Sequence, residues 1–425
     1  MPLRRHNEIG RWRNFRSSIP KPDNCICLPP VKFHVKKSYD TFNPRSGHTI
    51  VCTGTNFYII GGYCDAPETG IFNEINMYNK HTNTIQRIPI SNLPTEILSN
   101  AAINFPVDIN DIEDSILMFG GTGIPFSENI SDKLYWIRKT LDKWDCVACT
   151  NIGESPNKRY GCCMIFDHKE NCIYISGGTD GFNYFSDIWK GYLKIEYDIT
   201  NKIFSASVQW ELLLASGFPH DAGVYKHKIV LHDNILWSFG GGNTTEIFSF
   251  QNIPTFNLLT GELRIRGNIK GETNKEGRDI YPISRKCFGS CEYVGKLFIC
   301  GGQGIQPDPN PTESLHVDLN DIWYFDFNEI KWTRVKAVFL HPCYFNSCDV
   351  DIEGTMVSFG GVNKRRSRNN NLYKINLAPK KLVSLTLENV IEKHEEMFRD
   401  IEVLSDKYDY NYHLATKDVI SKCHL

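Results

Sequence analysis

Six times along the chain a short apolar run ends in a pair of glycines, and nothing else in the sequence restricts the fold so tightly. Phe57-Tyr-Ile-Ile precedes Gly61-Gly62, Ile116-Leu-Met-Phe precedes Gly120-Gly121, and Ile173-Tyr-Ile-Ser precedes Gly177-Gly178. Ile235-Leu-Trp-Ser-Phe leads to Gly240-Gly-Gly242, Leu297-Phe-Ile-Cys to Gly301-Gly302, and Met356-Val-Ser-Phe to Gly360-Gly361. The first glycines stand 59, 57, 63, 61 and 59 residues apart. A period this regular means one structural unit used six times, not a string of unrelated domains.

Each unit has the same internal order. Upstream of the glycines lies a second apolar stretch, such as His48-Thr-Ile-Val-Cys or Gly161-Cys-Cys-Met-Ile-Phe. Downstream, a polar loop leads to an aromatic strand, as in Leu134-Tyr-Trp136 and Asp321-Ile-Trp-Tyr324. Trp144, Trp210 and Trp332 open a fourth strand in three units, whereas Ile85 and Leu263 hold that place in the first and fourth. Four short strands per unit predict sheets arranged as propeller blades rather than stacked helices. The glycines suit such sheets because residues without Cβ let crowded backbones approach and turn through positive φ. Tyrosine and tryptophan rings supply the apolar contact between successive sheets.

The sixth unit ends at Asn371-Leu-Tyr-Lys-Ile-Asn-Leu377 with no fourth strand, and Val31-Lys-Phe-His-Val35 precedes the first unit without a partner. The expectation is an all-β, six-bladed propeller over 38–377, closed by a strand from 29–37 that removes an exposed edge. Residues 1–28, basic and proline-containing, are expected to be disordered. From Lys380 the period becomes helical, with Val383, Leu387, Val390, Ile391, His394, Phe398 and Ile401 on one side. The extension 380–425 therefore reads as short α-helical structure that packs on the ring or offers its apolar stripe to another protein.

Composition removes several function classes. Lys plus Arg number 47 against 49 Asp plus Glu, a formal charge of −2 that does not suit a coat for nucleic acid or anionic membrane. No apolar run is long enough to span a bilayer, and Met-Pro-Leu-Arg-Arg-His at the start lacks the apolar core of a secretory signal. The cytoplasm, with the nucleus as a second compartment, is the expected location. Fifteen cysteines are an odd count, and Cys25-x-Cys27, Cys146-x-x-Cys149 and Cys162-Cys163 lack a second ligand pair at zinc spacing. Cys146 and Cys149 fall in an expected strand, where residues three apart face opposite sides. Reduced, buried thiols are expected, with no metal and no cofactor.

No catalytic constellation stands out. Gly120-Gly-Thr-Gly123 is too short for a phosphate loop, and neither Gly-x-Ser-x-Gly nor His-Glu-x-x-His occurs. The informative charges lie at the starts of the units: Pro44-Arg45-Ser-Gly-His48, Lys158-Arg159-Tyr160-Gly161, Tyr225-Lys226-His227 and Ser284-Arg285-Lys286-Cys287. Cations converging on the mouth of a ring attract a carboxylate, most strongly where water is partly excluded. Arg45 and Arg159 equally suit a bracing role toward a loop or neighbouring blade, a role that Lys226 and Lys286 fit less well. Lys364-Arg-Arg-Ser-Arg368 carries no interleaved aromatics and reads as a solvated loop, not a nucleic-acid site.

The order of strand, glycine pair, aromatic strand and tryptophan resembles the kelch repeat. Phe119-Gly-Gly-Thr-Gly-Ile-Pro-Phe126, Arg159-Tyr-Gly161, Gly177-Gly-Thr-Asp-Gly-Phe-Asn-Tyr-Phe-Ser-Asp187, Pro44-Arg-Ser-Gly-His48 and Phe298-Ile-Cys-Gly-Gly302 further resemble the kelch substrate receptors of cullin-2 RING ubiquitin ligases. The likeness covers most of the repeat region and reaches Leu387-Glu-Asn-Val-Ile-Glu-Lys393. It implies a non-catalytic recognition subunit that captures the extreme C-terminus of client proteins. The helix after the ring would bind elongin B and elongin C, which join it to cullin-2 and a RING subunit.

By that resemblance Lys226 and Lys286 clamp the terminal carboxylate, with Arg285, Arg159 and Arg45 nearby and Tyr160, Phe182 and Tyr184 as walls. Ser384, Leu385, Leu387, Val390 and Ile391 would make the elongin contact. The pattern departs from the family's at Asn389 and Lys393, which stand for a Cys and an aliphatic residue, and at Arg399, which follows Phe398 where Pro is usual. Gly242-Asn-Thr-Thr245 likewise replaces arginines in the loop after the fourth glycine pair. The alternative function is an interaction scaffold without a ligase role, binding a phosphatase of a stress-kinase pathway or serving as a cytoskeletal adaptor.

Overall fold

The computed structural model describes residues 31–33, 42–65, 70–107, 112–140, 143–198, 203–306 and 315–378. These residues form a propeller-like all-β fold, and each glycine pair ends the second strand of one sheet. The first sheet runs Thr49–Thr53, Asn56–Ile60, Ile75–Asn79, Thr84–Ile88, and the second Ala101–Asn104, Ile112–Phe119, Leu134–Thr140, Trp144–Ala148. The third runs Cys163–Asp167, Cys172–Ser176, Ile188–Asp198, Ile203–Leu214, and the fourth Lys228–His232, Ile235–Phe239, Ile253–Asn257, Leu263–Arg266. Gly289–Tyr293, Lys296–Cys300, Asp321–Asp326 and Lys331–Val338 make the fifth. The sixth runs Ser347–Val350, Thr355–Phe359, Leu372–Asn376 and takes its outer strand from Val31–Phe33, with Val31 opposite Lys374 and Phe33 opposite Leu372.

Strands such as Cys172–Ser176 and Thr355–Phe359 are buried along their whole length. They read as continuous apolar runs because each sheet is covered on both faces by its neighbours. The tryptophans do much of that covering. Trp144 of the second sheet packs on Tyr58 of the first at 5.0 Å, and Trp210 of the third meets Phe119 of the second edge-on at 5.7 Å. Trp332 of the fifth wedges against Phe239 and Phe250 of the fourth at 5.8 and 5.3 Å. Rings of this size each bury on the order of 150–250 Å². Cys146 packs with the Tyr58 group and Cys149 with the Trp210 group, so the two thiols do face opposite sides. All twelve described cysteines are unpaired and buried.

The starts of the six inner strands are tied together around the hub. Ser99 N–H donates to the Gly47 carbonyl, Gly161 to Ser99, Lys226 to Gly161, Phe345 to Cys287 and Gly47 to Phe345, at 2.7–3.3 Å. The six residues at these equivalent places, Gly47, Ser99, Gly161, Lys226, Cys287 and Phe345, all have φ between 51° and 68°. Positive φ aims each amide at the preceding unit, which glycine tolerates and other residues adopt at a cost of about 1–2 kcal/mol. Contacts Cys52 N–H to Asp349 and Ile50 N–H to the Ser347 hydroxyl bring the first sheet against the sixth.

At Gly161 a Cβ would sit 2.0 Å from Cε2 of Tyr225, the residue before the next hub position. Gly161→Ala should therefore cost more than about 2 kcal/mol in urea unfolding, combining left-handed strain with overpacking. Gly153→Ala, at φ 76° with open space around it, should lose only the conformational part. Equal losses at both positions would contradict this account of the hub.

Candidate functional site

Above the hub opens a cavity of about 400 Å³ lined in part by the hub residues Gly47, Ser99 and Phe345. Tyr160, Tyr225 and Tyr344 line it as well, each standing one residue before a hub position in its own unit. Tyr63 and Phe126 pack edge-to-face at 5.4 Å and add two more rings, while Arg366 and Arg368 come from the loop of the sixth sheet. Tyr160 is fixed by its T-shaped contact with Tyr225 at 5.8 Å and by a 3.0 Å hydroxyl hydrogen bond to Ser127. The volume lies within the range of ligand-binding clefts.

The three arginines do not point a free charge into this mouth. Arg45, Arg159 and Arg285 are 1%, 0% and 0% exposed, and each donates through Nη1 to the carbonyl of a first glycine, Gly61, Gly177 or Gly301, at 3.0–3.1 Å. Arg159 also pairs with both oxygens of Asp187 at 2.6 and 2.7 Å, and Arg285 with both of Asp321 at 2.6 and 3.0 Å. Arg45 reaches Glu74 at 3.0 Å. The indoles of Trp189 and Trp323 donate to the same aspartates. Burial alone would raise the Asp321 carboxyl, yet the charge and hydrogen bonds of Arg285 outweigh it and hold that carboxyl below its usual range. Expectation of these side chains as available cations is thus corrected: they are internal braces joining unit start to glycine turn, buried charges that must be paired.

Lys226 and Lys286 are different. Both are half-buried, and neither has a carboxylate partner among the described residues. Lys226 occupies a hub position, where desolvation pushes its ammonium below the usual lysine value against a weaker opposing pull from the thiols of Cys287, Cys162 and Cys163. Lys286 holds the place that tyrosine holds in three other units, and its Nζ donates to the Asn243 carbonyl at 3.3 Å. Tyr160 lines the cavity; Tyr184 lies half-buried outside its lining, and burial together with the Tyr160 oxygen raises its hydroxyl. Phe182 is 86% exposed at a turn and walls nothing. Its backbone is shaped by Asp180, whose carboxylate accepts from the Phe182 and Asn183 amides.

The basic loop is solvated as expected at Lys364, Arg365, Arg366 and Ser367, all exposed, and departs from that reading at Arg368. Arg368 is half-buried, pairs with Asp65, donates from Nε to Ser46 at 3.3 Å and lies over the Tyr63 ring at 5.0 Å. Arg366, at φ 58°, is exposed at the cavity with no carboxylate partner among the described residues. Aligning the units on the hub residue would have exposed the tyrosine set. No local signal marks Arg366, because most of the rings lining the cavity with it come from other units. Ser384, Leu385, Leu387, Val390 and Ile391 lie outside the described residues, as do 1–30 and 34–41. Among the described residues no group of three or more His, Cys, Asp or Glu is placed to hold a metal ion, and no helix is long and apolar enough to cross a membrane.

A ring-like set of sheets with braced glycine turns and a cavity over the hub defines a kelch-repeat protein. The model of the KLHDC2/KLHL20/DRC7 Kelch-repeats domain matches residues 107–343, more than half of the chain, and the chain belongs to that family. It is 28% identical over 363 residues to kelch domain-containing protein 10 of Xenopus tropicalis, covering 82% of this chain and 79% of that one. The human protein of that name is 26% identical over 363 residues, with 82% and 73% covered. Kelch domain-containing protein 2 of Bos taurus is 22% identical over 381 residues, with 82% and 84% covered. Family membership is consistent with a protein-interaction role rather than a catalytic one.

The brace has a stability signature. Asp321→Asn removes the charge facing a fully buried guanidinium and should cost about 3–5 kcal/mol. Since the folded carboxyl titrates below its unfolded value near 4, its contribution is complete at neutral pH and lost as pH falls through the lower, folded value. Thermal unfolding followed from pH 7 to pH 2 should therefore show a shallower acid decline in the variant than in the parent. Parallel declines would contradict the brace.

Proposed function

We propose that this chain is a six-bladed kelch propeller serving as the substrate-recognition subunit of a cullin-2 RING ubiquitin ligase, and that it holds the free C-terminal carboxylate of a client over its hub. The observation that carries the reading is the division of charge at the unit starts. Arg45, Arg159 and Arg285 are neutralised internally, whereas Lys226 and Lys286 are half-buried without an acid among the described residues. A partly dehydrated ammonium has lost water and gained no counter-charge, so an incoming carboxylate restores what the fold removed.

In this reading Lys226 and Lys286 receive the terminal carboxylate, Arg366 adds charge at the rim, and the tyrosines hold the residues preceding the terminus. The proposal extends to Ser384, Leu385, Leu387, Val390 and Ile391 as the contact for elongins B and C, which would bring cullin-2 and its RING subunit. It rests there on family resemblance.

Short peptides from a random C-terminal library, each made with a free and an amidated terminus, test the capture directly by fluorescence anisotropy. The free acids selected by the protein should bind at least about tenfold more tightly than their amides, roughly 1.4 kcal/mol. Lys226→Glu with Lys286→Glu should abolish that preference, while Lys364→Glu, on an exposed residue outside the cavity lining, should keep it. Equal binding of acid and amide would reject carboxylate capture. Separately, the full chain should copurify with elongins B and C and a chain ending at residue 379 should not; no difference would reject the ligase assignment and favour a scaffold.

A further inference from the structure

The fourth sheet ends differently from its neighbours. In the second sheet the outer strand is covered by Ile90–Ser91, parallel to Trp144 and Asp145, and in the third by Thr150–Ile152, parallel to residues 207–209. The fifth is covered at Lys270, which exchanges backbone hydrogen bonds with Ile330 and Trp332, and at Glu272, which accepts from the Arg334 amide at 2.7 Å. Nothing among the described residues pairs with the outer edge of Leu263–Arg266, and all four of its residues are exposed. This is also the unit in which Leu263 stands where three others have a buried tryptophan.

The exposed edge is patterned. Pairing of Phe256 with Leu263 and of Pro254 with Ile265 puts the two aliphatic side chains on one face; Arg264 and Arg266 take the other. Ile265 is 68% exposed, Leu263 41% and the nearby Leu259 78%. The Arg266 guanidinium lies over Trp237 at 5.4 Å, and Arg264 makes an exposed pair with Glu262 that competes weakly with a new partner. We infer that this edge is a β-augmentation site for an extended segment of a partner protein in which apolar and acidic residues alternate. The bare backbone supplies the ladder, the aliphatic face the apolar contact and the arginines the charge selection.

An acidic partner is favoured over a second copy of the chain. In the antiparallel register that sets Leu263 and Ile265 of one strand against Ile265 and Leu263 of another, Arg264 faces Arg264 and only Arg266 finds an acid, Glu262. Like charges directly opposed in a ladder are destabilising. An acidic, alternating strand satisfies both faces at once.

Capped peptides alternating valine with glutamate, or valine with lysine, test the site on the full-length protein. Blocking both termini keeps them from acting through the hub, so the outcome is independent of carboxylate capture. The glutamate peptide should bind at least tenfold more tightly than the lysine peptide and slow hydrogen exchange at Leu263–Arg266. Ile265→Lys should remove binding, and Arg264→Glu with Arg266→Glu should invert the preference. Equal binding of the two peptides, exchange unchanged at this strand, or a dimer by light scattering that dissociates in the Arg264→Glu, Arg266→Glu variant would overturn the inference. So would binding that appears only in full-length Asp400→Lys, Glu402→Lys, since the chain's own Asp400-Ile-Glu-Val403 would then be the occupant.

Discussion

Amide hydrogen bonds passed from one unit start to the next, each launched from a left-handed residue, are the constraint on which the other features rest. Five of them link the six unit starts in a row from Cys287 through Phe345, Gly47, Ser99 and Gly161 to Lys226, so the spacing of the sheets is set at the hub rather than at the rim. Once the starts are fixed, two positive-φ glycines let the second strand leave the crowded centre, and in three units an arginine ties that turn back to the unit start. The tryptophans then fill the widening space between sheets farther out. The sixth sheet lacks an outer strand of its own, and Val31–Phe33 supplies it.

This arrangement sorts the cations by purpose. A guanidinium with five donors in a plane can satisfy a glycine carbonyl and both oxygens of an aspartate together, which is what Arg159 and Arg285 do while wholly buried. A lysine ammonium cannot replace that geometry, and Lys226 and Lys286 take no part in it. They remain half-buried charges outside the lining of the cavity, with no carboxylate partner among the described residues. The Lys228–Glu292 pair, two residues further along the same inner strand, shows that a lysine here is readily given an acid when structure requires one.

Much of this was legible in the residues. The period, the glycine pairs, the aromatic strands and the Val31 segment all rest on local spacing, which survives in sequence because each unit solves the same packing problem. The opposite orientation of Cys146 and Cys149 follows from strand alternation alone. The arginines were ambiguous because their acids lie across a variable loop: Glu74, Asp187 and Asp321 stand at no constant distance from Arg45, Arg159 and Arg285. The basic loop lacks nearby aromatics and is solvated over Lys364, Arg365, Arg366 and Ser367; Arg368 alone departs, because Tyr63 and Asp65 of the first unit lie beside it. Phe182 looked like a wall and is a turn tip, since Asp180 caps the backbone and leaves the ring outside.

The most direct test of the hub as an anion-binding centre is the reactivity of Lys226 itself. Its depressed ammonium should acylate faster than exposed lysines at mildly alkaline pH, as read by mass spectrometry of digested protein. A selected peptide with a free C-terminus should suppress that labelling, and its amide should not. Lys226 labelled equally with acid, amide or no peptide would contradict the account.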